Sequence, residues 1–309
     1  MAAYIFPGQG SQYVGMGRPL FEQSAAARTT FEKADTILDL PLSQLCFKGP
    51  AEELDDTAIT QPAILTMSIA ALRALEGQGT PPPEVVAGHS MGEFSALVAA
   101  GALGFEDGLQ LVRERGRLMK EAGETHPGGM VAVLGADREL LVSLCKDVRD
   151  ETGEYVGIAN DNCPGQIVIS GTDRALKLAM ERMDKIGARR SVRLAVSIAA
   201  HSPLMSQAAL EFQDVLEETP LTEAKIPVVA NATAQPLTDP EELRQAVSRQ
   251  LTSPVHWTDS MRWILDHGTT AFIEVGPKNV LVGLLRRIDR SAEGMSFEEI
   301  LQTDSRSVQ

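Results

Sequence analysis

The segment Val85-Val86-Ala87-Gly88-His89-Ser90-Met91-Gly92-Glu93-Phe94 offers the most pointed chemistry in the chain. It reads as a strand, then Gly-x-Ser-x-Gly, then a helix. That context marks a nucleophile elbow rather than a chance Gly/Ser turn. The serine sits on a sharp turn, and its hydroxyl projects at a helix N-terminus. There the Met91 amide and the helix dipole are placed to stabilise an oxyanion. A serine nucleophile needs a base. The chain has five histidines: His89, His126, His201, His256 and His267. His89 adjoins Ser90 and is expected to point away from it. His126 precedes Pro127-Gly128-Gly129 and reads as a turn residue, and His256 and His267 lie in or beside a surface helix. His201 directly precedes a Ser202-Pro203 helix start. The positive end of that helix disfavours imidazolium and so favours a neutral base. His201 is therefore the candidate base, with a core or capping histidine as the alternative.

A second group stands out at Arg115. Over 105–122 a helical projection of about 100° per residue places Leu109, Leu111, Val112, Gly116, Leu118, Met119 and Ala122 on one face. Arg115 falls near the middle of that apolar face. A buried guanidinium without an anion is costly. The anion is either a structural Asp or Glu or a substrate carboxylate held by the guanidinium fork. A serine nucleophile nearby would favour the substrate.

Elements must bring these residues together. Ala3-Tyr4-Ile5-Phe6 reads as a buried strand ended by Pro7-Gly8, with Gly8 and Gly10 shaping a tight turn. Residues 15–125 read as mainly helical apart from a strand over 84–88. Strands are then expected at 129–134, 155–159, 166–170 and 190–196, with helices over 137–150 and 172–187. This β-α-β-β-α-β order matches a ferredoxin-like unit. The expected organisation is an α/β protein with a small domain over 127–197 inserted into a larger domain, 1–126 and 198–309. In the resumed large domain a helix runs from Ser202 to about Glu218, with Ser as N-cap and Pro at the first position. A strand at 226–230, helices over 240–250 and 257–267 and a strand at 271–277 follow. The tail after Arg290 is polar and expected to be peripheral.

Composition narrows the partners. Among 309 residues, 28 Lys+Arg stand against 42 Asp+Glu, a net charge of −14. That balance disfavours a nucleic acid or an anionic membrane as the main partner. Cys46, Cys145 and Cys163 are few, odd in number and widely spaced, so neither a disulfide framework nor a zinc site is expected. No metal or cofactor is expected. The segment MAAYIFPGQGSQ lacks the basic and apolar regions of a signal peptide, and the uncharged stretches near 57–72 and 194–210 do not read as membrane spans. A cytoplasmic monomer is the expectation.

Several motifs together resemble the malonyl-CoA:acyl carrier protein transacylase family. They are Phe6-Pro7-Gly8-Gln9-Gly10-Ser11-Gln12, Gly88-His89-Ser90-Met91-Gly92-Glu93, Arg115-Gly116, Asn162-Cys163-Pro164-Gly165-Gln166, His201-Ser202-Pro203-Leu204-Met205, Ser253-Pro254-Val255-His256-Trp257 and Glu274-Val275-Gly276-Pro277. They run in family order over nearly the whole chain. The resemblance implies an α/β-hydrolase-like large domain carrying the ferredoxin-like small one. It implies Ser90 as nucleophile, His201 as general base and the Gln250 backbone carbonyl orienting the imidazole. The amides of Gln9 and Met91 would form the oxyanion hole, and Arg115 would pair with the malonyl carboxylate. Asn162 and Gln166 match positions near the cleft between domains. The implied activity moves malonyl from malonyl-CoA to the phosphopantetheine thiol of acyl carrier protein in fatty-acid synthesis. Ala200 stands where relatives often carry Phe or Ser. A small residue there could admit a substituted malonyl unit, and a polyketide-pathway role is the nearest alternative. Lys278-Asn279 replaces a common Gly-Lys without an expected catalytic consequence.

Two other classes compete. An esterase or thioesterase would order its triad Ser, Asp/Glu, His, and Asp266-His267 is the only late candidate. A degenerate carrier-binding module would not need Ser90, His201 and Arg115 together. An acidic carrier would dock on local positive charge. Arg189, Arg190 and Arg193 form one candidate cluster, and Arg286, Arg287 and Arg290 the other.

Overall fold

The computed structural model describes residues 2–301. In chain order the strands are β1 (Ala2–Phe6), β2 (Val85–Gly88), β3 (Gly128–Leu134), β4 (Val156–Cys163), β5 (Gln166–Thr172), β6 (Arg190–Arg193), β7 (Val228–Val229), β8 (Pro236–Leu237), β9 (Ala271–Glu274) and β10 (Glu293–Ser296). The helices are α1 (Arg18–Gln23), α2 (Ala25–Leu38), α3 (Leu42–Lys48), α4 (Ala51–Leu54), α5 (Thr57–Gly77), α6 (Gly92–Ala99), α7 (Phe105–Thr125), α8 (Arg138–Thr152), α9 (Asp173–Glu181), α10 (Ser206–Glu218), α11 (Pro240–Arg249), α12 (Trp257–Asp266) and α13 (Val280–Ile288).

The fold is mixed α/β with two sheets. The larger has the order β10-β9-β1-β2-β7-β8, parallel except for β8. Its central strands, Ala3-Tyr4-Ile5-Phe6 and Val85-Val86-Ala87-Gly88, are buried along their length. Continuous apolar runs are what a parallel sheet covered on both faces requires. One face packs against α5, α6 and α7. The other meets Trp257, Met261 and Ile264 of α12 and Leu281 and Leu285 of α13. The smaller sheet is antiparallel, in the order β4-β5-β3-β6, and packs on α8 and α9.

The smaller sheet is hydrogen-bonded to the segment that leads into α12. Val255 donates its N–H to the Ala159 carbonyl and accepts the N–H of Asp161, so β4 is tied to the segment before α12. Val255 itself is fully buried.

Several elements depart from the sequence reading. The strand expected over 190–196 ends at Arg193. The helix expected from Ser202 begins as a short 3-10 turn, Pro203–Met205, and only Ser206–Glu218 is α-helical. The tail after Arg290 is not wholly peripheral. Glu293–Ser296 adds an edge strand to β9, and Phe297 is buried; residues 302–309 of that tail lie outside the described residues. Helix α5 is long and apolar enough to cross a membrane by length and composition alone, but most of its apolar stretch is buried inside the fold. It is the core helix of this fold, with residues on every face buried. No other described helix meets that test.

Candidate active site

Four of the site loops lie at the carboxyl ends of parallel strands. Gln9 follows β1, Ser90 follows β2, Asn231 follows β7, and Gly276-Pro277 follows β9. In an open α/β sheet this edge is where a ligand crevice forms. A cleft of about 380 Å³ opens there. Its far wall comes from the small sheet and the segment leading to His201, including Met130, Val168, Leu194 and Ile198.

The elbow is built by close backbone approach. A Cβ at Gly92 would meet the Phe6 carbonyl at 2.1 Å, and one at Gly88 would meet the Gly92 backbone at 2.0 Å. Ser90 lies between them with φ +52°. A non-glycine residue in that region costs on the order of 1–3 kcal/mol and persists only where neighbours hold it. Asn231 does so on both sides of the serine. Its Oδ1 accepts the Ser90 N–H at 2.7 Å, and its Nδ2 donates to the Gly88 carbonyl at 2.6 Å.

The Ser90 hydroxyl and His201 Nε2 are 2.8 Å apart. On the far side of the ring, Nδ1 is 2.8 Å from the Gln250 carbonyl oxygen. A carbonyl only accepts, so Nδ1 carries the proton and Nε2 is left to accept from Ser90 Oγ. His201 is buried, with φ +58°. Burial first, and the Arg115 charge second, push its pKa down to about 3. The 3-10 turn Pro203–Met205 follows His201 and runs directly into α10.

Arg115 is 1% exposed and projects from α7 into the cleft. Nη1 donates to Gln61 Oε1 at 2.8 Å and lies 3.2 Å from Met119 Sδ. Nη2 donates to Gln250 Oε1 at 2.7 Å and lies 3.5 Å from Ser90 Oγ. Nε has no partner. Burial lowers the guanidinium pKa to about 10, and the nearby Glu93 charge partly offsets this. Among the described residues no carboxylate lies within ion-pair distance of Arg115. The sequence left two anions open, and the structure offers no direct structural one.

The remaining expected residues are distributed around this centre. Gln9 lines the cleft and its side chain reaches Thr57 Oγ1 at 3.3 Å. Met91 is buried and forms the N-cap of α6. Asn162 lies at the cleft, its Oδ1 2.8 Å from His89 Nε2. His89 does point away from Ser90, packing edge-on against Trp257. Gln166 also lines the cleft, but its Oε1 accepts from Arg287 at 2.6 Å. Cys163 ends β4 and is fully buried against Val255 and Trp257. His267 bonds the Trp263 carbonyl and stacks on the Trp263 ring, so the late Asp266-His267 pair does not serve Ser90. No group of three metal-ligating side chains occurs among the described residues.

Residues not expected from the sequence complete the site. Gln61 is the one amide among buried positions of α5 that are otherwise apolar or hydroxyl-bearing, which is a usable signal. Glu93 is the single charge within Phe94-Ser95-Ala96-Leu97-Val98 and its approach, another usable signal. Nothing in Ala230-Asn231-Ala232 announces the elbow brace. Glu274, buried at the end of β9, accepts the N–H groups of Leu281 at 3.0 Å and Val282 at 2.8 Å, fixing the start of α13. Its burial raises that carboxyl to about 7.

The acyl transferase domain family matches residues 3–308. Malonyl CoA-acyl carrier protein transacylase of Bacillus subtilis (strain 168) is 46% identical over 297 residues, covering 96% of this chain and 93% of the relative. The Haemophilus influenzae protein of the same name is 40% identical over 299 residues, covering 96% and 95%. Among solved structures, the malonyl CoA-acyl carrier protein transacylase of Coxiella burnetii has a TM-score of 0.94 at 38% identity, covering 97% and 96%. A malonyl-transacylase in complex with its type II PKS acyl-carrier protein has a TM-score of 0.92 at 39% identity, covering 95% and 94%.

Proposed function

The chain belongs to the acyl transferase family, and from that premise we propose that it transfers a malonyl group from malonyl-CoA to acyl carrier protein through a malonyl-Ser90 ester. The observation that carries this reading is the meeting of two groups in one cleft. A hydroxyl is bonded to a neutral imidazole, and a buried guanidinium without a carboxylate partner lies 3.5 Å from that hydroxyl.

As Ser90 Oγ attacks the thioester carbonyl, His201 Nε2 takes its proton. The backbone N–H groups of Gln9 and Met91, on the loops after β1 and β2, are the oxyanion donors. The tetrahedral intermediate collapses, the C–S bond breaks, and imidazolium returns the proton to the CoA thiolate. The phosphopantetheine thiol then gives its proton to His201, attacks the ester, and Ser90 leaves reprotonated. Arg115 holds the malonyl carboxylate. An acetyl group would leave the guanidinium without its anion, a penalty of about 1–3 kcal/mol or more. The apolar wall at Leu194, Val196 and Ile198 limits water at the ester.

Roles follow for the rest of the chain. Gln250 orients His201 through its carbonyl, and Asn162 and Gln166 border the substrate cleft. The sheet orders support an α/β-hydrolase-like large domain, 1–126 and 198–309, with a ferredoxin-like insert, 127–197. A monomer suffices, since every site residue comes from one chain. Three free cysteines suit a reducing, cytoplasmic setting. Ala200, buried and lining the cleft, leaves room beside the acyl chain for a substituted malonyl unit.

Carrier docking is assigned to the seam where the two arginine clusters approach. Arg287 donates to Gln166 and to the Pro164 carbonyl. Gly135 bonds the Gly165 carbonyl, and the Arg189 side chain lies against Gly135. Arg193 is instead paired with Asp173, which removes it from the patch.

An acyl-CoA panel assayed with purified protein, with and without acyl carrier protein, tests the reading. Carrier-dependent transfer with malonyl-CoA preferred is expected. Release of free acid at an equal rate in both conditions would make the protein a thioesterase.

A further inference from the structure

Glu93 is a buried carboxylate that the reaction does not touch. Its Oε2 accepts from Gln250 Nε2 at 2.5 Å, and its Oε1 accepts the Asn231 N–H at 3.1 Å. The Gln250 amide continues the chain. Nε2 also donates to the Ser90 carbonyl at 3.0 Å, while Oε1 accepts from Arg115 Nη2. We propose that Glu93 is a positioning residue that fixes the polarity of the Gln250 amide and so aims the Arg115 guanidinium at the acyl carboxylate. This rests on the functional reading above.

The argument is one of donors and acceptors. A flipped Gln250 amide would set its oxygen against the Glu93 carboxylate and the Ser90 carbonyl. Its NH2 group would then face the guanidinium, donor against donor. Buried polar groups so mispaired are costly, so the carboxylate selects one orientation. That orientation presents a neutral oxygen to Arg115.

Charge explains why an amide stands between them. A buried cation calls for an anion, yet a carboxylate bonded directly to the guanidinium would take the donors the substrate needs. Glu93 supplies negative charge one amide away and leaves part of the fork uncommitted. It is also anchored to the nucleophile, since Asn231 holds both Glu93 and the Ser90 N–H. The Gln250 carbonyl in turn holds His201. One carboxylate thus sets the aim of the selecting cation relative to Ser90.

Two variants test this at pH 8, where Glu93 is ionised. The readout is the ratio of initial malonyl to acetyl loading on Ser90, followed by intact mass. Glu93→Gln retains shape but cannot accept from both Asn231 N–H and Gln250 Nε2. The ratio should fall at least tenfold. The exchange Glu93→Gln with Gln250→Glu restores charge and most hydrogen bonds while placing the anion directly on Arg115. Its ratio should also stay at least tenfold below wild type, with the melting temperature recovered relative to Glu93→Gln. A merely structural carboxylate would lower both loading rates alike. A wild-type ratio in Glu93→Gln, or its recovery in the exchange, overturns the proposal. If Glu93→Gln does not fold, the exchange decides. A wild-type chain that loads a different carboxylated acyl group would overturn the malonyl reading alone, and the same ratio would then be taken for that group.

Discussion

Replacing Arg115 separates binding of the acyl carboxylate from the chemistry at Ser90. A guanidinium has five N–H donors. Gln61, Met119 and Gln250 occupy three. One faces Ser90 Oγ at 3.5 Å, too long to count for much, and the Nε–H has no acceptor. Two donors are therefore uncommitted, which matches the two oxygens of a carboxylate. Charge-assisted hydrogen bonds contribute about 1.5–3 kcal/mol each, so two contribute about 3–6 kcal/mol. At about 1.4 kcal/mol per tenfold, Arg115→Ala should lower kcat/KM for malonyl-CoA by about a hundredfold to ten-thousandfold. Acetyl-CoA has no carboxylate to lose, so its kcat/KM should hold or rise. Arg115→Lys keeps the charge but not the fork and should fall between. The assay is loading kinetics with both thioesters, alongside a melting curve. The curve matters because the variant leaves two buried amide oxygens without their donor. A malonyl/acetyl ratio unchanged in a folded Arg115→Ala protein would refute the reasoning.

Other expectations concern His201, the docking seam and Cys163. With its pKa held near 3, the imidazole stays neutral across the working range. Labelling of Ser90 by phenylmethylsulfonyl fluoride should therefore stay level from pH 8 down to pH 5, whereas an ordinary histidine near 6.5 would lose over tenfold. The same shift bears on stability. Between about pH 6.5 and 3 the unfolded chain binds a proton that the native ring does not. This group therefore lowers stability as pH falls through that window, measurable by denaturant titration. Charge reversal at Arg189 and Arg190 should raise KM for acyl carrier protein at low salt and leave KM for malonyl-CoA unchanged; an unchanged carrier KM would move the docking site elsewhere. Cys163→Ala should cost about 1 kcal/mol of stability for the small buried volume removed, with activity retained; loss of activity in the folded variant would contradict a purely packing role.

The sequence displayed the elbow because its signal is local. Gly88 and Gly92 are needed where backbones nearly touch, and the flanking apolar runs announce strand and helix. Arg115 was legible because a charge on an apolar helical face has few explanations. The strand pattern of the small sheet was legible for similar reasons, although the strand ends at Arg193, and Leu194 and Val196 beyond it line the cleft. What stayed hidden is long-range. Asn231 and Gln250 act on Ser90 from 141 and 160 residues away through single hydrogen bonds, which no periodicity records. The edge strand Glu293–Ser296 is polar and contains glycine, and only pairing with β9 makes it a strand. Helix α13 begins just after Gly276-Pro277, and its start depends on Glu274 accepting its first N–H groups. The cause of the low His201 pKa also escaped the sequence, because it lies in burial and in a cation 86 positions away in the chain.

The central claim is a malonyl ester on Ser90. Intact-mass analysis after brief mixing with malonyl-CoA measures it most directly. The account predicts a single malonyl adduct on the wild-type chain, mapped by peptide analysis to Ser90. It should be lost on addition of acyl carrier protein and absent from Ser90→Ala. An adduct that persists in Ser90→Ala, or a folded wild-type chain that passes malonyl to the carrier with no adduct formed, would contradict it.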